Sequence, residues 1–262
     1  MMSKKEYEKR LEVSQSAYVD ISVFLPEQPK ALAICVHGLG GSQNSPYMKI
    51  QKTACVNQNV GVIQFDCRNS FGTSSGSFSE ATATQFIEDL TSVMRWVQNQ
   101  EWYIPKLFFF GHSLGGLAIL EYAHTNPSDI IGIAPLATVV SGELSLQTSN
   151  YNDEKVSQWK KSGELQWGEN HVLYWAHMED RLKYNVLSYV DSFTQPILCI
   201  VGDQDKNTPV EHQQVLQQHI QSDCELHIIP QMAHSPESQH VKEIQTIIES
   251  WVGKICMRLE ND

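Results

Sequence analysis

The chain has 262 residues, of which 41% are apolar and 19% charged. A chain of that length and make-up buries a full core, which excludes wholesale disorder, collagen and a coiled coil. The formal net charge of −11 opposes phosphate backbones and anionic membrane surfaces, so nucleic acid is not an expected partner.

The N-terminal residues MMSKKEYEKR carry positive charge but no apolar stretch behind it, unlike a secretory signal. No run approaches the ~20 apolar residues that span a bilayer. Val19, Ile21, Val23 and Leu25 alternate with polar residues and predict a half-exposed antiparallel strand. Short, almost wholly apolar runs follow at 31–36, 60–65, 107–110, 130–134, 197–201 and 226–229. Such runs suit parallel strands buried on both faces. Between them, Phe86, Leu90, Val93, Met94 and Val97 share one helical face, as do Val241, Ile244, Ile248, Trp251, Val252 and Ile255. Alternation of this kind predicts a mostly parallel sheet with right-handed crossovers and helices on both faces.

Residues 141–191 break the rhythm. The segment is polar, offers no convincing strand, and contains Trp159, Trp167 and Trp175. It reads as a mostly helical insertion, either a lid over the sheet or an extra layer of scaffold. The core is then 1–140 with 192–262, and the cap is 141–191. The six cysteines are scattered and form no CxxC pair, so they read as free thiols in a cytoplasmic protein.

The strongest chemical signal is Gly111-His112-Ser113-Leu114-Gly115-Gly116, between an apolar run and a helical pattern. A serine at the apex of a strand–turn–helix is presented above the sheet edge, and small neighbours let the strained turn close. A hydroxyl becomes a nucleophile only when a base takes its proton. His234 follows the run 226–229, and Gly202-Asp203-Gln204-Asp205 follows the run 197–201, on the same sheet edge as Ser113. Both Asp203 and Asp205 lie in that turn, and reach favours Asp205. His212, His219 and His240 fall in helical patterns and read as surface residues, whereas His37 and His112 read as structural hydrogen-bonding groups. No His or Cys pair has zinc-like spacing with a partner pair. The N–H of Leu114, directly after the serine, is one expected oxyanion donor. The N–H of Leu39 in His37-Gly38-Leu39-Gly40-Gly41 is the other.

These residues resemble the alpha/beta hydrolase superfamily over nearly the whole chain. HGLGG at 37–41 resembles its oxyanion loop, GHSLGG at 111–116 its nucleophile elbow, GDQD at 202–205 its acid turn and MAH at 232–234 its histidine loop. The segment from Phe65 to Gly72 resembles the loop written D-x-R-G-x-G, with Asn69 where glycine is usual and one residue more. The resemblance implies a sheet of about eight strands, a cap after the sixth, and Asp205 as the acid of a Ser113–His234–Asp205 triad. It also implies a small-molecule ester substrate and no cofactor or metal. The chain is similar to small cytosolic carboxylesterases of the cinnamoyl or feruloyl esterase and monoacylglycerol lipase groups. Trp159, Trp167, Trp175, Tyr151 and Tyr174 then either line a pocket for an acyl or aromatic group or pack the cap onto the sheet. A peptidase or amidase with the same triad, and a non-catalytic binding protein on a hydrolase scaffold, are the alternatives. Substrate identity and oligomeric state are not legible in the sequence.

Overall fold

The computed structural model describes residues 5–261. The first four residues, where the N-terminal reading begins, lie outside the described residues, as does residue 262. The chain opens with β1 (Lys5–Glu12) and β2 (Tyr18–Leu25), an antiparallel pair. β1 has no counterpart among the sequence expectations. It is an edge strand, KEYEKRLE, whose side chains are almost all solvent-facing, so it carries none of the apolar alternation that reveals a half-buried strand. In β2, Val19, Ile21, Val23 and Leu25 are buried, as their alternation predicts.

The core then alternates strand and helix: β3 (Leu32–Val36), α1 (Pro46–Asn57), β4 (Gly61–Phe65), α2 (Ala83–Gln98), β5 (Leu107–His112), α3 (Leu114–Thr125) and β6 (Ile130–Leu136). After the insertion it resumes with β9 (Ile197–Gly202), α7 (Val210–His219), β10 (Cys224–Ile229) and α8 (Val241–Asn261). The eight core strands form one sheet in the order β1-β2-β4-β3-β5-β6-β9-β10. β1–β2 and β2–β4 are antiparallel, and every other pairing is parallel. β3, β4, β5 and β9 are buried along their whole length, which is why they read as unbroken apolar runs. One face packs Phe86, Leu90 and Val93 of α2 and Leu117 and Leu120 of α3 over the sheet. The opposite face packs Met48 and Ala54 of α1 and Ile244, Ile248 and Trp251 of α8. This is the alpha/beta hydrolase fold. Among the described residues no helix is long and apolar enough to cross a membrane.

Between β6 and β9 the chain forms α4 (Gly142–Leu146), α5 (Asp153–Ser162), strands β7 (Glu164–Trp167) and β8 (His171–Tyr174), α6 (Ala176–Arg181) and two single 3-10 turns at 186–188 and 190–192. The expectation of a segment without strands is corrected here. β7 and β8 pair as a separate antiparallel hairpin. Each is four residues long with one face wet, too short to leave a period in the sequence. The segment has its own apolar nucleus of Trp159, Leu173 and Met178 against Phe78 and Ala81 of the core. His240 also departs from its expected surface position: it is buried just before α8, and its Nδ1 accepts the N–H of Glu237.

Candidate active site

Ser113 joins β5 to α3 with φ +56° and ψ −114°. That conformation is unfavourable for a residue with a Cβ and persists only where surroundings over-determine it. The surroundings do so: the Ser113 N–H donates to the Leu136 carbonyl at 2.9 Å, and its own carbonyl accepts from Val139 at 3.1 Å. The β3 loop presses against the elbow from the other side. A Cβ on Gly38 would lie 3.0 Å from the Ser113 Cβ and 3.0 Å from Nδ1 of His112. Any larger residue there would push against the elbow. Gly38, Leu39, Gly40, Gly41, Ser113 and His234 border a common cleft of about 140 Å³, with Tyr47 and His112 at its wall.

The acid turn after β9 settles Asp205 against Asp203 as the group that meets the imidazole. Asp205 is buried, and its Oδ2 lies 2.8 Å from Nδ1 of His234. Asp203 is exposed and instead accepts the Gln231 N–H at 2.7 Å. The second oxygen of Asp205 accepts the N–H groups of Asn207 at 2.8 Å and Thr208 at 3.0 Å. Burial alone raises the Asp205 carboxyl. The hydrogen bond and charge of His234, with those amides, outweigh burial and hold it below the usual carboxylate range. With Nδ1 facing Asp205, the Nε2 of His234 is the nitrogen left for chemistry.

Three contributors were not singled out from sequence. The Thr208 hydroxyl lies 2.9 Å from Oδ2 of Asp205, 2.9 Å from the Ala137 carbonyl and 3.3 Å from Nδ1 of His234. It ties the acid turn to the end of β6. Phe71 and Phe78 lie against Gly40, where a Cβ would meet their rings at 3.1 and 3.3 Å. Gly40 itself has φ +65°, so the candidate oxyanion loop is clamped where only glycine sits easily. No local pattern marks these residues, because their partners come from distant segments.

The flanking histidines are structural, as expected. His112 Nε2–H donates to the His234 carbonyl at 2.9 Å, and the two rings lie 4.7 Å apart, tilted by 39°. Burial, reinforced by His234, pushes His112 down to about 3, so it stays neutral. His37 donates Nδ1–H to the Gly38 carbonyl at 2.7 Å and accepts the Cys67 N–H on Nε2 at 2.9 Å, joining the loops after β3 and β4. Asn69 has φ +56°, the left-handed backbone that a usual glycine would supply.

As the first residue of α3, Leu114 carries one of the first-turn amides that lack an intrahelical acceptor. Leu39 borders the cleft in the facing loop. The aromatic residues of the insertion do not border it. Trp159 is buried inside the insertion, donates Nε1–H to the Leu173 carbonyl at 3.0 Å and meets Trp175 edge to face. Trp167 is half-buried 5.7 Å from Phe78, and Tyr174 is exposed. The hairpin touches the site indirectly: His171 and Trp167 pack on Phe71 and Phe78, and these cover Gly40. Among the described residues no three His, Cys, Asp or Glu side chains converge as metal ligands.

Known proteins share this architecture. Est1E from Butyrivibrio proteoclasticus, with ferulic acid bound, superposes with a TM-score of 0.81 at 19% identity, covering 93% of this chain and 97% of that one. Mouse alpha/beta hydrolase domain-containing protein 10 gives 0.79 at 18% identity over 95% and 99%. The monoacylglycerol lipase of Paleococcus ferrophilus gives 0.71 at 19% identity over 96% and 99%. In sequence, protein phosphatase methylesterase 1 of Candida albicans is 26% identical over 124 residues, 47% of this chain. The matched stretch spans only 33% of that protein. The family profile described as serine aminopeptidase S33 matches residues 27–188, more than half of the chain. The chain therefore belongs to that hydrolase family, within the alpha/beta hydrolases.

Proposed function

We propose that this protein is a serine hydrolase that cleaves carboxylic esters, with Ser113 as nucleophile, His234 as base and Asp205 as its orienting acid. The observation that carries the reading is the 2.8 Å contact between Nδ1 of His234 and buried Asp205, made by an imidazole that borders the same cleft as Ser113. Ser113 Oγ attacks the acyl carbon while Nε2 of His234 takes its proton. The tetrahedral oxyanion is held by the Leu39 and Leu114 N–H groups. On collapse the carbon–oxygen bond to the alcohol breaks, and His234 returns the proton to the leaving oxygen. Water, deprotonated by His234, then cleaves the acyl-enzyme and frees Ser113. Asp205 keeps Nδ1 protonated and stabilises the imidazolium.

Residues 141–191 serve in this reading as the cap of a core made of 1–140 and 192–262. Trp159 and Trp175 hold the cap together, Trp167 reaches the site only through Phe78, and Tyr174 lies at the outer face. The ester-handling relatives support the ester side. The aminopeptidase description of the family keeps an amide-cleaving activity as the second reading.

The test is hydrolysis of p-nitrophenyl esters from acetate to palmitate, beside aminoacyl p-nitroanilides, by wild type and Ser113→Ala. Ester turnover is expected in wild type and a fall of at least about 10⁴-fold in the variant. A fluorophosphonate is expected to label wild type alone. Cleavage of anilides without esters would move the assignment to the amidase reading.

A further inference from the structure

Arg181 closes α6, and neither the fold nor the proposed reaction uses its charge. It is only 8% exposed. A guanidinium offers five N–H donors and is always charged. Its Nη2 donates to Nε2 of His177, one turn earlier. The other nitrogen of that ring donates to the Ala81 carbonyl at 2.8 Å, so His177 is a neutral acceptor and brings no counter-charge. Burial, then the neighbouring Arg181, pushes His177 down to about 3. The Nε of Arg181 is buried with no hydrogen-bond partner.

No carboxylate of the described residues pairs with this guanidinium. The adjacent Asp180 is already held by the amide and hydroxyl of Thr84, at 2.8 and 2.7 Å, and by Lys183 at 2.9 Å. A buried charge without its counter-ion is costly, and proteins keep one chiefly where something supplies the opposite charge. A donor at the opposite end of the same helix is also unanswered: the Trp175 indole Nε1 is buried without a partner. Trp175 packs around the apolar nucleus formed with Met178, which lies on α6 beside Arg181. Leu39 packs on the same nucleus and also borders the cleft of Ser113 and His234. The helix that carries the uncompensated cation thus meets the candidate oxyanion loop on one nucleus, through Met178 and Leu39.

We propose that Arg181 anchors a carboxylate of the substrate, so that the preferred esters are hemiesters of dicarboxylic acids, with the charged end under the cap and the ester at Ser113. This inference rests on the ester-hydrolase reading. A planar guanidinium matches the two oxygens of a carboxylate, and one arginine neutralises one charge. A phosphate ester would bring a second charge that no other buried cation here meets. The chain's net charge of −11 repels anions at long range, so an anionic substrate is accepted only through a local, desolvated cation.

The experiment compares mono-p-nitrophenyl succinate, glutarate and adipate with the uncharged p-nitrophenyl alkanoates of equal length. Wild type is expected to favour at least one hemiester in kcat/KM. Arg181→Gln is expected to lower the hemiester-to-alkanoate ratio about tenfold or more, mainly through KM, and Arg181→Lys to recover part of it. Equal rates on both series in wild type, or an equal loss on both in Arg181→Gln, would overturn the proposal. If Arg181→Gln does not fold, wild type alone decides: free glutarate inhibits alkanoate hydrolysis competitively and dimethyl glutaramide does not, or the proposal falls. If no ester is cleaved, the ester reading fails separately. Thermal stabilisation of Ser113→Ala by glutarate then still supports an anion site, and no shift removes it.

Discussion

Ser113 holds a φ of +56° that its side chain disfavours, and the hydrogen bonds to Leu136 and Val139 are what hold it there. Such strain costs about 1–3 kcal/mol. Ser113→Ala keeps the strain, whereas Ser113→Gly releases it and gives back about 0.4–1 kcal/mol through the more flexible unfolded chain. Both variants are expected to be inactive, with the glycine variant higher in urea midpoint; the reverse order would show the turn to be unstrained. Thr208 belongs to the same scale. Its single hydroxyl proton serves either Asp205 or the Ala137 carbonyl, and both lie at 2.9 Å. Thr208→Val is expected to lower kcat about tenfold at nearly constant KM, since a bond to a charged group is worth about 1.5–3 kcal/mol and part is replaced by neighbouring amides. Thr208→Ser should restore it. Ser113, Asp205 and His234 are legible in the sequence because each sits in a turn with its own local glycine or strand-end signature. Thr208 is not, because its meaning comes from a carbonyl 71 positions away.

At the scale of elements, the buried parallel strands were the most legible part of the chain, since burial on both faces leaves an unbroken apolar run. β1 and the hairpin β7–β8 were illegible for the opposite reason: strands with wet faces, short or at an edge, satisfy their backbone without an apolar period. The sequence does mark the tryptophans of the insertion, but not which of them hold it together. Trp159 does so, buried between α5 and β8. Trp159→Ala removes a side chain worth about 3–5 kcal/mol and leaves the two sheet-flanking cores intact. Hydrogen exchange should then lose protection in α5, β7 and β8 while β3, β5 and β9 keep theirs. A uniform loss across the molecule would mean that cap and core unfold as one unit.

Across the described residues, three of the buried histidines are held below the ordinary imidazole value: His37, His112 and His177, each lowered chiefly by burial, the last two to about 3. Unfolding releases them to the ordinary value near 6.5. The unfolded chain therefore binds more protons than the folded one, and stability falls as the pH drops below about 6.5 and continues to fall toward about 3. His112 and His177 each contribute up to about 1.4 kcal/mol per pH unit over that window, and His37 acts in the same direction. Asp205, whose folded value is depressed, keeps its contribution above the ordinary carboxylate range and loses it only as the pH falls through that depressed value. Urea midpoints at pH 7.5, 6.0 and 5.0 should decline progressively. A flat series would show that these rings are already protonated in the fold.

The chain crosses from β6 into the insertion and returns at β9, and these neighbouring strands are registered through only two residue pairs, Ile133 with Ile197 and Leu136 with Ile200. The Leu39 loop and Ser113 lie before that seam, and Asp205 and His234 lie after it. A single proteolytic nick at Gly168, in the exposed bend of the hairpin, would place the proposed nucleophile on one polypeptide and its proposed base on another. Each piece alone would be silent, and turnover would report their reunion across the seam, making the enzyme a natural template for a two-fragment complementation sensor.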